Sequence, residues 1–295
     1  MGYGIASVFA AAGHDTSVYD PFPDALARVP ERVRANLRVL GQPEAAADRI
    51  TLHDSLERAA SGADLVIEAA PEKLSLKQDL FAELAALTGP DCILASNTSV
   101  IPIGEIAFKV ADGRRVLGMH WWNPPYLIPL VEVVQASRTE LVYVERAMDL
   151  LRRVGKTPVH VRRDVPGFVG NRLQHALWRE AVSIVASGIC DAETVDMVVK
   201  HSFGARLPVL GPLENADLVG LDLTLDIHRV ILRHLESSGE PSPLLQRHVQ
   251  EHRLGMKTGQ GFYRWTPESQ QQVRDRLANY LRATLLPKAG EAQKK

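Results

Sequence analysis

A histidine and a glutamate twelve residues apart, His120 and Glu132, are the pair in this sequence whose types and settings point most directly to chemistry. His120 ends the apolar run 116–119 and opens a stretch dense in aromatic residues and proline, Trp-Trp-Asn-Pro-Pro-Tyr. Glu132 sits inside the apolar run 129–134. A carboxylate in such a setting needs a partner, because burying an unpaired charge is costly. A histidine is a suitable one, and the carboxylate in turn fixes its tautomer and favours the imidazolium. An imidazole held this way is a general base that works near neutral pH. The two residues alone leave a second arrangement open, a core histidine with its own hydrogen bonds and a Glu132 facing solvent.

Two other patterns carry polar chemistry. Ser99 follows the buried run 92–95, so it stands at the carboxyl end of a strand, where ligands collect in open α/β sheets. The same hydroxyl could equally cap a helix starting near Ile101. His248-Val249-Gln250-Glu251-His252 matches H-x-x-E-H, an inverted zinc-protease signature with both histidines on one helix face. A catalytic zinc needs a third protein ligand and a shaped cleft. Gln246, Arg247, Gln250 and Arg253 surround the pair, so a solvated helix is expected there and no metal site.

The elements that must position these residues follow from periodicity. Short apolar runs at Thr16–Tyr19, 49–52, 64–68, 92–95 and 116–119 alternate with helical patterns at 2–12, 23–40 and 74–87. Strands with little polar alternation, separated by helices, predict a doubly wound parallel sheet covered on both faces, a Rossmann-type α/β fold. Beyond residue 162 the pattern turns helical, at 172–187, 192–203, 213–235 and 243–252, after a hinge at Asp164-Val165-Pro166-Gly167. The reading is an α/β domain at 1–162, an all-α domain at 163–267, and a C-terminal helix with a polar, disordered tail from Lys288 at 268–295.

A dinucleotide-binding unit opens with a strand, a glycine-rich turn and a helix whose N-terminus faces the pyrophosphate. Here the helix comes at once: Gly2 and Gly4 form a G-x-G with Ser7 at the third glycine position, and the better registration makes Gly2 the last glycine of the motif. The first strand is apparently missing, and a start placed too late, or a truncated chain, is the expectation. Asp20 closes the second strand eighteen residues after Gly2, where an acid accepts the ribose hydroxyls of NAD and repels the 2′-phosphate of NADP.

Composition narrows the function classes. The 295 residues are 45 % hydrophobic and 23 % charged, with a formal charge of -1, the balance of a globular protein with a substantial core. That charge argues against a nucleic-acid partner, which calls for a basic excess. No apolar run reaches the length of a membrane helix, and two cysteines fit a reducing, cytoplasmic setting.

The ordered motifs resemble those of the 3-hydroxyacyl-CoA dehydrogenase family over about residues 1–265: Met-Gly-x-Gly-Ile-Ala at the start, Ser96-Asn97-Thr98-Ser99, His120 with Asn123-Pro124, Leu130-Val131-Glu132-Val133, Asp164-Val165-Pro166-Gly167-Phe168, Asn171-Arg172 and Lys257-Thr258-Gly259-Gln260-Gly261-Phe262-Tyr263. The resemblance implies NAD-dependent oxidation of a 3-hydroxyl on a small-molecule hydroxyacyl substrate, with a helical domain that forms a homodimer. It implies that His120 and Glu132 act as the catalytic dyad and that Ser99 and Asn171 bond the substrate oxygen. Gly2, Asp20, Glu72, Lys77, Ser99, Asn123 and Lys257 match its cofactor contacts. Two departures bear on the substrate. The segment between Asp20 and Glu72 is short and arginine-rich, where CoA-using members contact the CoA phosphate. The Pro-Pro and Ile-Pro pairs after His120 look more like branches acting on free acids, such as L-gulonate and pyridine-carboxylate dehydrogenases. A catalytically silent NAD-binding or structural protein is the rival reading. A β-hydroxyacid dehydrogenase would need a lysine on the first long helix of the second domain, which offers Arg172 and Arg179 instead.

Overall fold

In the computed structural model, which describes residues 1–285, the chain forms two compact units. One is Met1–Asn171 with residues 277–285, and the other is Arg172–Arg276. The first unit contains α1 (Gly2–Ala11), β1 (Thr16–Tyr19), α2 (Pro23–Ala27), α3 (Val29–Leu40), β2 (Ile50–His53), α4 (Leu56–Ala60), β3 (Leu65–Glu68), α5 (Leu74–Leu87), β4 (Ile93–Ser96), α6 (Ile103–Ile106), β5 (Val116–Trp121), β6 (Leu130–Val134), α7 (Leu141–Arg153) and β7 (Thr157–Val161). The single helix expected at 23–40 is two, parted at Arg28. Pro30 has no N–H to give to a continuing helix and is tolerated only in a first turn, so the helix restarts around it.

Strands β3-β4-β5-β6-β7 form one sheet, and β1-β2 form a separate parallel pair. Among the described residues, β1 and β3 have one strand neighbour each. The expected parallel sheet holds except between β5 and β6, which are antiparallel. The reason is connection length. Residues 122–129 are too few for the crossover a parallel return needs, so the chain turns straight back.

The five-stranded sheet is covered on both faces. Ile93, Ala95, Leu117, Met119, Val131 and Val133 share a core with Ile5, Val8 and Phe9 of α1 and with Val144, Ala147 and Leu151 of α7. The alternate residues Leu94, Val116 and Val134 pack with Phe81, Leu84, Ile103 and Ile106 of α5 and α6. A third cluster, Val29, Val33, Leu37 and Ala47, joins α3 to the β1-β2 pair. Ser7 is buried between α1 and α3, accepting from Asn36 Nδ2 at 3.0 Å and donating to the Tyr3 carbonyl at 2.8 Å. A serine at this glycine-like position therefore joins the two helices.

The first unit runs on to Asn171 instead of ending at 162. Asp164 carries it past the expected hinge by accepting from the Ile103 and Gly104 amides at 2.9 and 2.7 Å. The second unit holds α8 (Gly170–Ala186), which starts at the junction, then α9 (Ala192–His201), α10 (Pro212–Val219), α11 (Leu221–Ile231), α12 (Pro243–Gln250) and the start of α13 (Pro267–Leu285). The helix expected at 213–235 is broken at Gly220, whose φ of 106° no helix accommodates. The pairing expected of His248 and His252 on one helix face does not form. Helix α12 ends at Gln250, His252 has a φ of 57°, and His248 is buried against Phe262 at 5.0 Å between ring centroids. The tail expected to be disordered from Lys288 lies outside the described residues.

Candidate active site

The twelve-residue spacing of His120 and Glu132 becomes a direct cross-strand pair. The β5-β6 register sets them opposite one another, so their side chains leave the same face. His120 Nδ1 is 2.7 Å from Glu132 Oε2, and the two residues are 4 % and 1 % exposed. The other carboxylate oxygen accepts from the amides of Val169 and Gly170, both at 3.0 Å. Burial pushes the Glu132 carboxyl up, but the His120 hydrogen bond and the Gly170 and Val169 amides outweigh it and hold the group below the ordinary glutamate range. An ionised Glu132 takes the proton-bearing Nδ1 of His120 as its partner and leaves Nε2 with a free lone pair.

The hinge builds this arrangement. Gly167 and Phe168 have φ of 75° and 48°, and this left-handed turn delivers the next two amides to Glu132. The buried Phe168 ring packs on His120 at 5.8 Å, and Trp122 packs on it at 5.1 Å. Gly170 admits no side chain, since a Cβ there would lie 2.3 Å from Trp122 Cζ2.

His120 lines a cleft of about 520 Å³ with Met1, Tyr3, Asn97, Ser99, Trp121, Trp122, Asn123 and Asn171. The predicted residues His120, Ser99, Asn123 and Asn171 thus come together at the carboxyl ends of β4 and β5. Asn171 Nδ2 donates to the Ser99 carbonyl at 2.8 Å, tying two predicted residues seventy-two positions apart. Ser99 is held from behind by Glu72, whose Oε1 accepts from Thr98 Oγ1 at 2.6 Å, the Ser99 amide at 2.9 Å and the Val100 amide at 3.2 Å. Burial raises the Glu72 carboxyl, and the Thr98 and Ser99 bonds, Lys77 and the Val100 amide bring it below the ordinary value.

Gly2, Asp20, Glu72 and Lys77 are not among the residues that line the cleft. Lys77, matched to a cofactor contact, is enclosed within the first unit. It is 1 % exposed, with its ammonium 2.7 Å from Glu68 and 3.3 Å from Glu72. A side chain on the first turn after a buried strand is drawn inward when that strand ends in an acid, here Glu68. Asp20 follows β1 and accepts from the Phe22 amide at 2.9 Å. Lys257 belongs to the second unit, exposed in the turn between Gly255 and Gln260. In the same unit Tyr263 Oη is 3.0 Å from both the Ala192 carbonyl and Asp196, and its hydroxyl is pushed up to about 12 by burial and then by Asp196.

Three site residues escaped the sequence reading. Glu68 is fully buried, accepting from Ser96 Oγ at 2.6 Å and the Ala70 amide at 2.6 Å as well as from Lys77. Asn97 Oδ1 accepts from the Trp121 amide at 2.8 Å, locking the end of β4 to the end of β5. Gly4 lets the loop after β5 reach α1, since a Cβ there would lie 2.7 Å from Pro125 Cγ. Glu68 carried the same signal as Glu132, an acid in an apolar run; the other two carried none beyond their motifs.

The residues suit a dinucleotide at the places the structure offers. The first amides of α1 have no partner within the helix, and a Cβ on Gly2 would meet nothing within 4 Å, which leaves backbone open to an anion. A mostly parallel sheet with helices on both faces, a cleft at the carboxyl ends of β4 and β5 and a histidine–carboxylate pair define a nucleotide-dependent oxidoreductase of the Rossmann class.

Comparison with known proteins makes the class particular. Residues 1–165 match the 3-hydroxyacyl-CoA dehydrogenase NAD binding domain, and residues 167–265 match the C-terminal domain of the same family. The chain belongs to the 3-hydroxyacyl-CoA dehydrogenase family, whose members are NAD-dependent dehydrogenases acting on CH–OH groups. It is 36 % identical over 290 residues to a 5-formyl-3-hydroxy-2-methylpyridine 4-carboxylate 5-dehydrogenase of Mesorhizobium japonicum, covering 95 % of this chain and 93 % of that one. It is 42 % identical over 224 residues to an L-carnitine dehydrogenase of Streptomyces coelicolor, covering 75 % and 70 % of the two chains. A crystal structure of the 5-formyl-3-hydroxy-2-methylpyridine 4-carboxylic acid 5-dehydrogenase, described as an NAD+-dependent dismutase, superposes with a TM-score of 0.90 at 36 % identity, over 96 % of this chain and 93 % of that one.

Proposed function

We propose that this chain oxidises the secondary hydroxyl of a small hydroxy acid, with NAD as hydride acceptor and His120 as the base. The observation that carries the reading is the buried His120–Glu132 pair, with His120 lining a cleft shared with Ser99 and Asn171. NAD, when bound, supplies the acceptor for the hydride. His120 Nε2 takes the hydroxyl proton, and the ionised Glu132 stabilises the imidazolium that results. The Ser99 hydroxyl and the Asn171 amide orient the substrate oxygen. The Gly2 and Tyr3 amides, Asp20, Asn123 and Lys257 are the cofactor contacts. Glu72 shapes the Ser99 loop, and Lys77 acts through Glu72.

A free acid is favoured over a CoA thioester. The shortness of the segment before Glu72 and the Pro-Pro pair after His120 support this, as do the pyridine-carboxylate and carnitine relatives. The assay is NADH absorbance with 3-hydroxybutyryl-CoA set against L-carnitine and pyridine hydroxy acids. Replacing His120 by alanine should lower turnover by about 10² to 10⁴ and leave NAD binding in place. A variant that turns over near the parent rate would show the dyad to be structural.

The functional unit in this reading is a cytoplasmic homodimer joined through the helical unit. Helices α9, α10 and α11 bury no residue within the chain, and Leu213, Leu218, Leu221, Val230 and Leu232 are all more than half exposed. Apolar area on that scale marks a protein interface. Cys92 and Cys190 are both free thiols, in keeping with a reducing compartment.

A further inference from the structure

Lys156, just ahead of β7, is 9 % exposed and has no carboxylate partner among the described residues. Its ammonium donates instead to two backbone carbonyls, Pro125 at 2.6 Å and Ile128 at 3.0 Å, and lies 5.6 Å from the centre of the Trp121 ring. Both carbonyls belong to the segment joining β5 to β6, which begins with Trp122 and Asn123 just after His120 and Trp121. Burial alone pushes the ammonium down to about 8. Such a desolvated cation is costly to keep, and only strong hydrogen bonds offset the cost.

The segment it holds is also pressed against the start of α1. Pro125 sits so close to Gly4 that a Cβ would approach its Cγ to 2.7 Å, and Tyr126 Cδ1 lies 3.7 Å from the same point. One ammonium thus fastens a loop that touches the cleft from two directions, through Trp122 and Asn123 on one side and through the Tyr3–Gly4 turn of α1 on the other.

We propose that Lys156 is a positioning residue for cofactor binding: by clamping the carbonyls of Pro125 and Ile128 it sets the distance between the Trp122–Asn123 wall and the first turn of α1. The inference rests on reading the cleft as the NAD site. It assigns Lys156 no part in the proton transfer, which the His120–Glu132 pair performs across the sheet. Its loss is therefore felt in NAD affinity and not in the chemical step.

The test compares NAD affinity by calorimetry, and KM for NAD against kcat, in the full chain and three variants. Lys156→Met keeps the length of the side chain and removes every donor. It should weaken NAD about tenfold or more, the size given by one charge-assisted hydrogen bond, with kcat at saturating NAD within about threefold of the parent. Lys156→Arg keeps the charge but spreads its donors over a plane that cannot bridge the same two carbonyls, so it should recover part of the affinity. Gly4→Ala pushes the same loop from its other side and should weaken NAD in the same way. In combination with Lys156→Met it should add little, because both act through one loop. This variant also serves should Lys156→Met fail to fold. Unchanged NAD affinity in Lys156→Met, a loss confined to kcat, or full additivity with Gly4→Ala would overturn the clamp. A parent chain that fails to bind NAD would overturn the reading of the cleft itself, and the clamp with it.

Discussion

The two units treat their apolar residues in opposite ways. In the first, Phe81, Leu94, Leu117 and Val131 are wholly enclosed, and the three core clusters all belong to it. In the second, α11 carries Leu221 and Leu225 along one side and Leu223, Ile227 and Ile231 along another, all exposed. A helix apolar on two sides is one that packs between layers. The first unit encloses its own core clusters. The second is a helical layer whose stability comes from whatever covers it, and the proposed cover is a second copy of the chain.

Placing charges on that layer should have the largest effect. If the proposed dimer forms there, Leu225→Glu with Ile227→Glu should turn it into monomer and lower the helical signal, since each buried aliphatic side chain contributes about 1.5–3 kcal/mol. Light scattering with circular dichroism over a range of concentrations reads both. A variant that stays dimeric with an unchanged melting point would break the contrast. Phe81→Ala, at the centre of the first unit, should cost about 3–5 kcal/mol in chemical denaturation, whatever the protein concentration. Were that loss to vary with concentration, the first unit would not be self-sufficient.

Two smaller effects sharpen the picture within the first unit. The folded Glu132 carboxyl lies below its unfolded value, so its contribution is fully present above the ordinary glutamate value near ~4.3 and is lost as pH falls through the folded value. The stability gap between the parent and Glu132→Gln should therefore be widest near neutral pH and shrink in acid. A gap that stayed constant with pH would show that Glu132 is not held as a carboxylate by its partners. Ser7→Ala leaves the Asn36 amide buried without its acceptor and should cost about 1–3 kcal/mol, read by urea unfolding. No loss would mean that Asn36 finds another partner.

Much of this was open to a reader of the sequence alone, because it depends on local periodicity and on residue type. The strand at 16–19, the one read at 92–95 and found at 93–96, the helix at 74–87 and the change to helices after the hinge follow from patterns a few residues long. Glu132 in an apolar run asked for a partner, and His120 was the partner at hand. What the sequence left undecided depends on contacts between distant segments. The antiparallel register that sets His120 opposite Glu132, the two hinge amides on that carboxylate, and the Asn171 bond to the Ser99 carbonyl exist only when the chain has closed. Lys77 shows the same limit from the other side. Its sequence position said nothing of its ion-pair partner, and Glu68, nine residues earlier, holds it inside the unit. Periodicity reports which face of an element is apolar, whereas the partner of a buried charge is chosen by three-dimensional proximity, and that belongs to the tertiary structure.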